Sequence, residues 1–154
     1  IEPNPFYLLK NHSDLGSYQE VLNIRDIIKA NAAKDTWGQA AEKFADYWNG
    51  SGTWEEMDEL RQEKFAEALK PNFYEFDCVI NETTTLEEWR DVLPLNTHIL
   101  FSEQTVNSIR KIVTIFEETM SNWTFHSYSE GSHMAPLTHP NVVNPIIHKI
   151  LTEV

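Results

Sequence analysis

The 154 residues carry 24 acidic and 12 basic side chains, which gives a formal net charge of −12. This charge argues against nucleic acid and anionic membranes as partners, because both are bound through clusters of Lys and Arg. Hydrophobic residues make up 41% of the chain and aromatic residues 12%, as is typical of a globular protein with its own core. No apolar run approaches the roughly 18 residues that span a membrane.

The reactive side chains of the sequence point to no cofactor. The single cysteine, Cys78, cannot form an internal disulfide, which fits a cytoplasmic location. Its apolar neighbours predict a buried structural thiol. The six histidines show neither H-x-x-x-H nor H-E-x-x-H spacing. The sequence therefore predicts no metal site and implies no organic cofactor.

The first part of the chain has the apolar spacing of several helices. Residues 1–16 are expected to be irregular, since Pro3 and Pro5 each restrict the residue before them. Apolar residues then recur at helical intervals, and polar residues stand where caps are needed. Helices are predicted over residues 17–33, from 35 or 36 to 49, 54–70, 71–81 and 86–91, with Ser17, Thr53 and Thr85 as caps.

After Pro94 the pattern changes to alternating strands and helices. Residues 97–102 and 123–129 read as strands and residues 106–120 as the helix between them, which is a βαβ unit with a parallel pair. A final helix is predicted at 141–151. Because parallel sheets normally have more than two strands, we expect this region to be the edge of a larger sheet. The predicted fold class is α/β, with a mostly helical region followed by a β-α-β-α piece.

The loop after the second strand carries the most informative residues. Residues 131–140 read G-S-H-M-A-P-L-T-H-P, and they place His133 just beyond the strand. The carboxyl ends of strands are where α/β sheets hold reactive groups. As a general base, His133 would need a nucleophile and an orienting carboxylate. The sequence offers no convincing nucleophile, so we expect it to be a piece of a longer product.

This loop, followed by Val143 and Asn144, resembles the catalytic-histidine segment of α/β-hydrolases. Residues 40–50, which read A-A-E-K-F-A-D-Y-W-N-G, are similar to the helical lid of the same family, and residues 2–6 look like the segment leaving its sixth strand. The resemblance covers essentially the whole chain in family order. It implies a segment leaving the core sheet at 1–16, a helical lid at 17–92 and the carboxyl-terminal part of the α/β-hydrolase core at 93–154.

The resemblance implies catalytic roles for a few residues. His133 matches the general base, which takes the serine proton and returns it to the leaving group. The nucleophile elbow, G-x-S-x-G, and the oxyanion-hole segment have no counterpart here. The usual acid follows the seventh strand, where this chain has Thr105. Two candidates for the acid remain: Glu2, at the alternative position after the sixth strand, and Glu103. Glu2 is favoured.

Four aromatic residues of the predicted lid have two interpretations, which are compatible. Their rings can form the core of the lid, or they can also roof an apolar substrate pocket. These residues are Trp37, Phe44, Trp48 and Trp54.

The expected function is that of the carboxyl-terminal part of an α/β-hydrolase, inactive without the nucleophile-bearing half. The parent reaction would be hydrolysis of a small apolar ester-like substrate through an acyl-enzyme. The alternative is a non-catalytic binding module that kept this part of the fold. Its parallel strands would then be covered by a second copy of the chain. The expected partners are thus the missing amino-terminal half or another copy.

Overall fold

The computed structural model describes residues 1–11 and 15–152, which form two compact units. Unit 1 contains residues 1–4 and those from 83 onward, and unit 2 contains the described residues between 5 and 82. Residues 12–14 and 153–154, which belong to the predicted segments 1–16 and 93–154, lie outside the described residues. The assignment of 1–16, 17–92 and 93–154 to core, lid and core stays a prediction.

Unit 2 is helical and is packed around aromatic side chains. The Phe6 ring stacks on Phe76 at 6.2 Å between centroids and lies 6.3 Å from the Trp48 ring. Burial of such large apolar surfaces is the main source of stability in a helical unit. The elements of unit 2 are a 3₁₀ helix (Phe6–Asn11) and the α-helices α1 (Leu15–Ala32), α2 (Trp37–Asn49), α3 (Glu59–Leu69) and α4 (Asn72–Asn81).

Two helix starts in unit 2 differ from the predicted ones. Ser17 lies inside α1 and is buried, so it is not the cap. Thr53 is also wrong as a cap, because α3 begins at Glu59, where the Asp58 side chain accepts a hydrogen bond from the Arg61 backbone N–H. The Thr53 hydroxyl instead donates to the carbonyl of Gly50 at 2.7 Å, which holds the chain in turns. The remaining predicted helices are confirmed to within a few residues.

Cys78 is exposed on α4, so the prediction of a buried thiol is wrong. The buried residues of this helix are Phe76 and Ile80. Cys78 is two positions from each of them, and residues two apart on a helix do not share a face. The apolar neighbours in sequence therefore pack inward while the thiol faces solvent.

Unit 1 is built on a parallel pair of strands, as predicted. His98 lies opposite Thr124 and Ser102 lies opposite Tyr128, and these are the two ends of the pairing. In the part of the chain that the structure describes, the sheet has two strands; the larger sheet stays a prediction. The elements are α5 (Leu86–Val92), β1 (His98–Ser102), α6 (Asn107–Thr119), β2 (Thr124–Tyr128), α7 (Ala135–Thr138) and α8 (Pro140–Thr152).

A buried apolar cluster of unit 1 packs both strands against the last two helices. Leu100, Tyr128, Ala135 and Val143 form one buried cluster, and the apolar face of α8 packs against it. The short helix α7, which the sequence did not predict, brings Ala135 into this cluster. Thr85 caps α5 through a capping box with Glu88, as predicted. None of the helices in the described ranges is both long and apolar enough to cross a membrane.

Candidate active site

The His133 imidazole and the Glu2 carboxylate meet beyond the end of β1. Their Nδ1 and Oε2 atoms are 2.7 Å apart, although the residues are separated by 131 positions in the chain. The Glu2 side chain is 1% exposed and that of His133 is 26% exposed. Because a carboxylate only accepts hydrogen bonds, the proton of this bond is on Nδ1. In this form Nε2 is the unprotonated ring nitrogen, which is the one that a general base uses.

Glu2 reaches this position through an unusual backbone conformation. Its backbone N–H donates to the carbonyl of Leu100 at 2.8 Å, which ties it to the edge of β1 away from β2. Its φ angle is 43°, in the left-handed region that residues other than glycine adopt rarely. Strain of this kind clusters at functional sites, where the surrounding bonds hold it.

The buried carboxylate is hydrogen-bonded on both oxygens. The Ser102 backbone N–H donates to Oε1 at 2.8 Å, and the Thr105 hydroxyl donates to Oε2 at 3.0 Å. Together with His133 this makes three donors to Glu2. Charged groups are buried in proteins only when they are paired in this way. The carboxylate is therefore a fixed acceptor for the imidazole.

The loop that carries His133 is held by Ser102 and Gly131. The Ser102 hydroxyl donates to the carbonyl of Gly131 at 2.5 Å. Gly131 has a φ of +79°, and a Cβ there would lie 2.7 Å from Nδ1 of His139. Only glycine fits this conformation and this close approach. Ser102, at the end of β1, therefore contacts both Glu2 and the loop that carries His133.

Tyr128 is a buried ionisable residue at the end of β2. Burial raises the pKa of its hydroxyl to about 12, and the negative charge of Glu2 contributes to the same shift. Among the described residues its hydroxyl has no hydrogen-bond partner. Ser102, Thr105 and Tyr128 were not predicted as site residues. Their shared position at the carboxyl ends of the strands is the sequence signal that could have indicated them.

Glu103, the other candidate for the acid, lies in a different environment. It is exposed, and its Oε1 accepts a hydrogen bond from the Ser127 hydroxyl at 2.9 Å. The structure thus brings His133 to Glu2 and gives Glu103 a partner on β2. The catalytic roles of these residues stay predictions.

The four predicted lid aromatics all lie in unit 2. Trp48 is 5% exposed and packs edge-on against Phe44, with 6.0 Å between centroids. Trp54 lies 6.3 Å from the Phe65 ring, and Trp37 is half-buried at the start of α2. The contacts of Phe44, Trp48 and Trp54 are those of a core. Their role in substrate binding stays a prediction.

Residues 1–11 and 15–152 contain no group of three or more His, Cys, Asp or Glu side chains placed to hold a metal ion. Two histidines of the sheet do contact each other. His98 Nδ1 lies 2.9 Å from His126 Nε2, and their rings stack. Burial lowers the pKa of His126, and the nearby charges of His98 and Lys149 lower it further.

A model of the serine carboxypeptidase family matches residues 3–153. This match covers nearly the whole chain. The chain belongs to the serine carboxypeptidase family. That family consists of serine peptidases with the α/β-hydrolase fold, so the resemblance is confirmed at the level of the superfamily. Comparisons with curated proteins and with solved structures gave no significant match. The matched range includes His133 and begins one residue after Glu2.

Proposed function

We propose that this chain supplies the lid and the base-bearing part of a serine hydrolase with the α/β-hydrolase fold. The observation that supports this most directly is the 2.7 Å hydrogen bond between His133 Nδ1 and the buried Glu2 carboxylate. An imidazole held in this way presents Nε2 as a base. Membership of the serine carboxypeptidase family supports the same chemistry.

The proposed reaction is acyl transfer in two steps. His133 Nε2 takes the proton of a serine hydroxyl, and the serine oxygen attacks the substrate carbonyl. The protonated imidazole then gives its proton to the leaving group as the acyl-enzyme forms. Water hydrolyses the acyl-enzyme with His133 again as base. Glu2 holds the imidazole in the Nδ1-protonated form and stabilises the imidazolium.

The nucleophile and the oxyanion hole would come from an amino-terminal part, either as a preceding segment or as a second polypeptide. We expect the 154-residue chain alone to be inactive, because it carries the base without the serine that it activates. The proposed substrate is a small apolar ester, bound against Trp37, Phe44, Trp48 and Trp54. Because the chain belongs to the serine carboxypeptidase family, we extend the proposed substrates to peptides that are cleaved near their carboxyl terminus. The single cysteine supports a cytoplasmic location.

The test is the intact mass of the purified protein before and after reaction with a serine-directed fluorophosphonate. We expect the added mass on a serine of the amino-terminal part and none on a lone 17.9 kDa species. His133→Ala should slow the labelling by roughly 10³-fold or more while leaving the fold intact. His148→Ala, an exposed position on α8, is the matched control.

Two results would count against this function. Labelling of the His133→Ala protein at the parental rate would remove His133 from the mechanism. A lone, unlabelled 17.9 kDa species that is a stable monomer or symmetric dimer and binds no hydrophobic dye would instead favour the binding module.

A further inference from the structure

The position of the Glu2 carboxylate depends on groups outside its own segment. Residues 1–4 form no helix or strand, and Glu2 itself has a left-handed backbone. Its backbone bond to Leu100 fixes the main chain but not the rotation of the side chain. The orientation of the carboxylate is therefore set by the donors that surround it.

Two of these donors come from Ser102, the last residue of β1, and from Thr105 in the loop that follows. The Ser102 backbone N–H binds Oε1, and the Thr105 hydroxyl binds Oε2, so each oxygen has one partner on the same segment. If Ser102 were the only donor from this segment, the carboxylate could still pivot about the hydrogen bond that Oε1 accepts from Ser102. Thr105 removes that freedom, because it binds the oxygen that also accepts from His133.

Thr105 is itself well fixed. Its backbone N–H donates to the carbonyl of Ser102 at 3.2 Å, and the residue is 8% exposed, so water has little access to its hydroxyl. Branching at Cβ restricts the χ1 angle of threonine to few values. Thr105 therefore has a fixed position from which to donate to Glu2.

We infer that Thr105 is a positioning residue, whose hydroxyl holds Oε2 of Glu2 in line with Nδ1 of His133. This inference rests on the proposed function, in which the same bond keeps the proton on Nδ1. Thr105 acts through Glu2, to which its hydroxyl donates. It therefore determines which nitrogen of His133 carries the proton and which acts as the base.

The test is ¹⁵N NMR of the histidine side chains in the full 154-residue chain. In the parent protein we expect Nδ1–H to be the dominant neutral form of His133. Thr105→Val keeps the shape of the side chain and removes the donor, so this dominance should be lost. Thr105→Ser keeps the hydroxyl and should restore it. Thr114→Val is the matched control, since the Thr114 hydroxyl donates within α6, to the carbonyl of Arg110.

The outcomes separate this inference from the proposed function. An unchanged His133 form in Thr105→Val overturns the inference, and so does a Thr105→Ser protein that behaves like Thr105→Val. If Thr105→Val fails to fold, Thr105→Ala provides the same comparison. None of these measurements needs a serine or a substrate. Failure of the proposed function would appear only in the labelling experiment.

Discussion

The two units of this chain bury different kinds of side chain. Among the described residues, unit 1 buries four polar side chains, and unit 2 buries only Ser17 in addition to its apolar core. The four are Glu2, Ser102, Thr105 and Ser108. Buried polar groups cost free energy unless they are hydrogen-bonded, so proteins rarely collect them without a purpose. The contrast is what the proposed function leads us to expect, with His133 and Glu2 in unit 1 and a packed aromatic core in unit 2.

The same contrast implies two kinds of sensitivity to mutation. In unit 1, removal of one hydrogen-bonding side chain leaves its buried polar partner without that bond, and the orientation of the His133 imidazole changes. In unit 2, truncation of an aromatic ring leaves a cavity and lowers the free energy of unfolding.

The largest expected effect is on catalysis, at Glu2. In the complete enzyme, Glu2→Gln should lower kcat by roughly 10³–10⁴-fold, because an amide cannot stabilise the imidazolium and favours the wrong tautomer. Glu103→Gln is the matched control and should change kcat by no more than about twofold, since Glu103 bonds to Ser127. Steady-state kinetics on both variants checks this. The reverse order of effects would make Glu103 the acid.

The next effect is on stability, at Phe6. This ring is 2% exposed and contacts both Phe76 and Trp48. Phe6→Ala should lower the free energy of unfolding by about 3–5 kcal/mol, mainly through the cavity that it leaves. Urea unfolding followed by tryptophan fluorescence measures it. Tyr74→Ala, which truncates an exposed ring of the same unit, should cost far less; equal losses would argue against a packed aromatic core.

A pair of glycines compares the two units directly. Gly131→Ala should cost about 1–3 kcal/mol, because alanine is strained at a φ of +79° and its Cβ would meet His139. Gly38→Ala in α2 has open space and should be neutral or stabilising by up to about 1 kcal/mol. Thermal unfolding of both variants shows whether each substitution lowers or raises the stability. Equal changes would show that the loop of unit 1 does not depend on its glycine.

The smallest expected effect is a pH dependence from His126. Its pKa is lowered, first by burial and then by His98 and Lys149. Between this lowered pKa and 6.5 the unfolded chain binds a proton that the folded chain does not. Stability should therefore be fully present above pH 6.5 and decrease as the pH falls below it. Urea unfolding at pH 7.5 and 5.5 tests this: His126→Gln should show a smaller decrease than the parent, and the exposed-site variant His148→Gln the same decrease.

Local sequence patterns predicted the elements of unit 1 well. Two apolar runs predict the parallel strands, and the apolar residues at helical spacing between them predict α6. Both predictions are confirmed. The start of α3 could not be predicted in this way. Thr53 and Asp58 are both good capping residues, and the choice between them depends on Asp46, whose carboxylate accepts from the Trp54 backbone N–H.

The contacts of the candidate site were only partly predictable. The family resemblance suggested His133 and Glu2 as partners, but it treated Thr105 simply as a departure from the family pattern. The hydrogen bond between Thr105 and Glu2 joins residues 103 positions apart. No local propensity reports such a contact, because it depends on how β1 and the first residues lie side by side. The exposure of Cys78 was misread for a related reason, since composition does not show which helix face is buried.

The division of unit 1 has a consequence for the order in which the chain folds. Unit 2 is inserted between residues 4 and 83, and all its residues have been synthesised by residue 82. Glu2 must wait until residue 133 has been added before its last donor exists. Contacts between distant parts of a chain form slowly, because a long loop has to close first. A nascent chain that stops before residue 133 therefore contains Glu2 without its partner His133, however well its helices have folded.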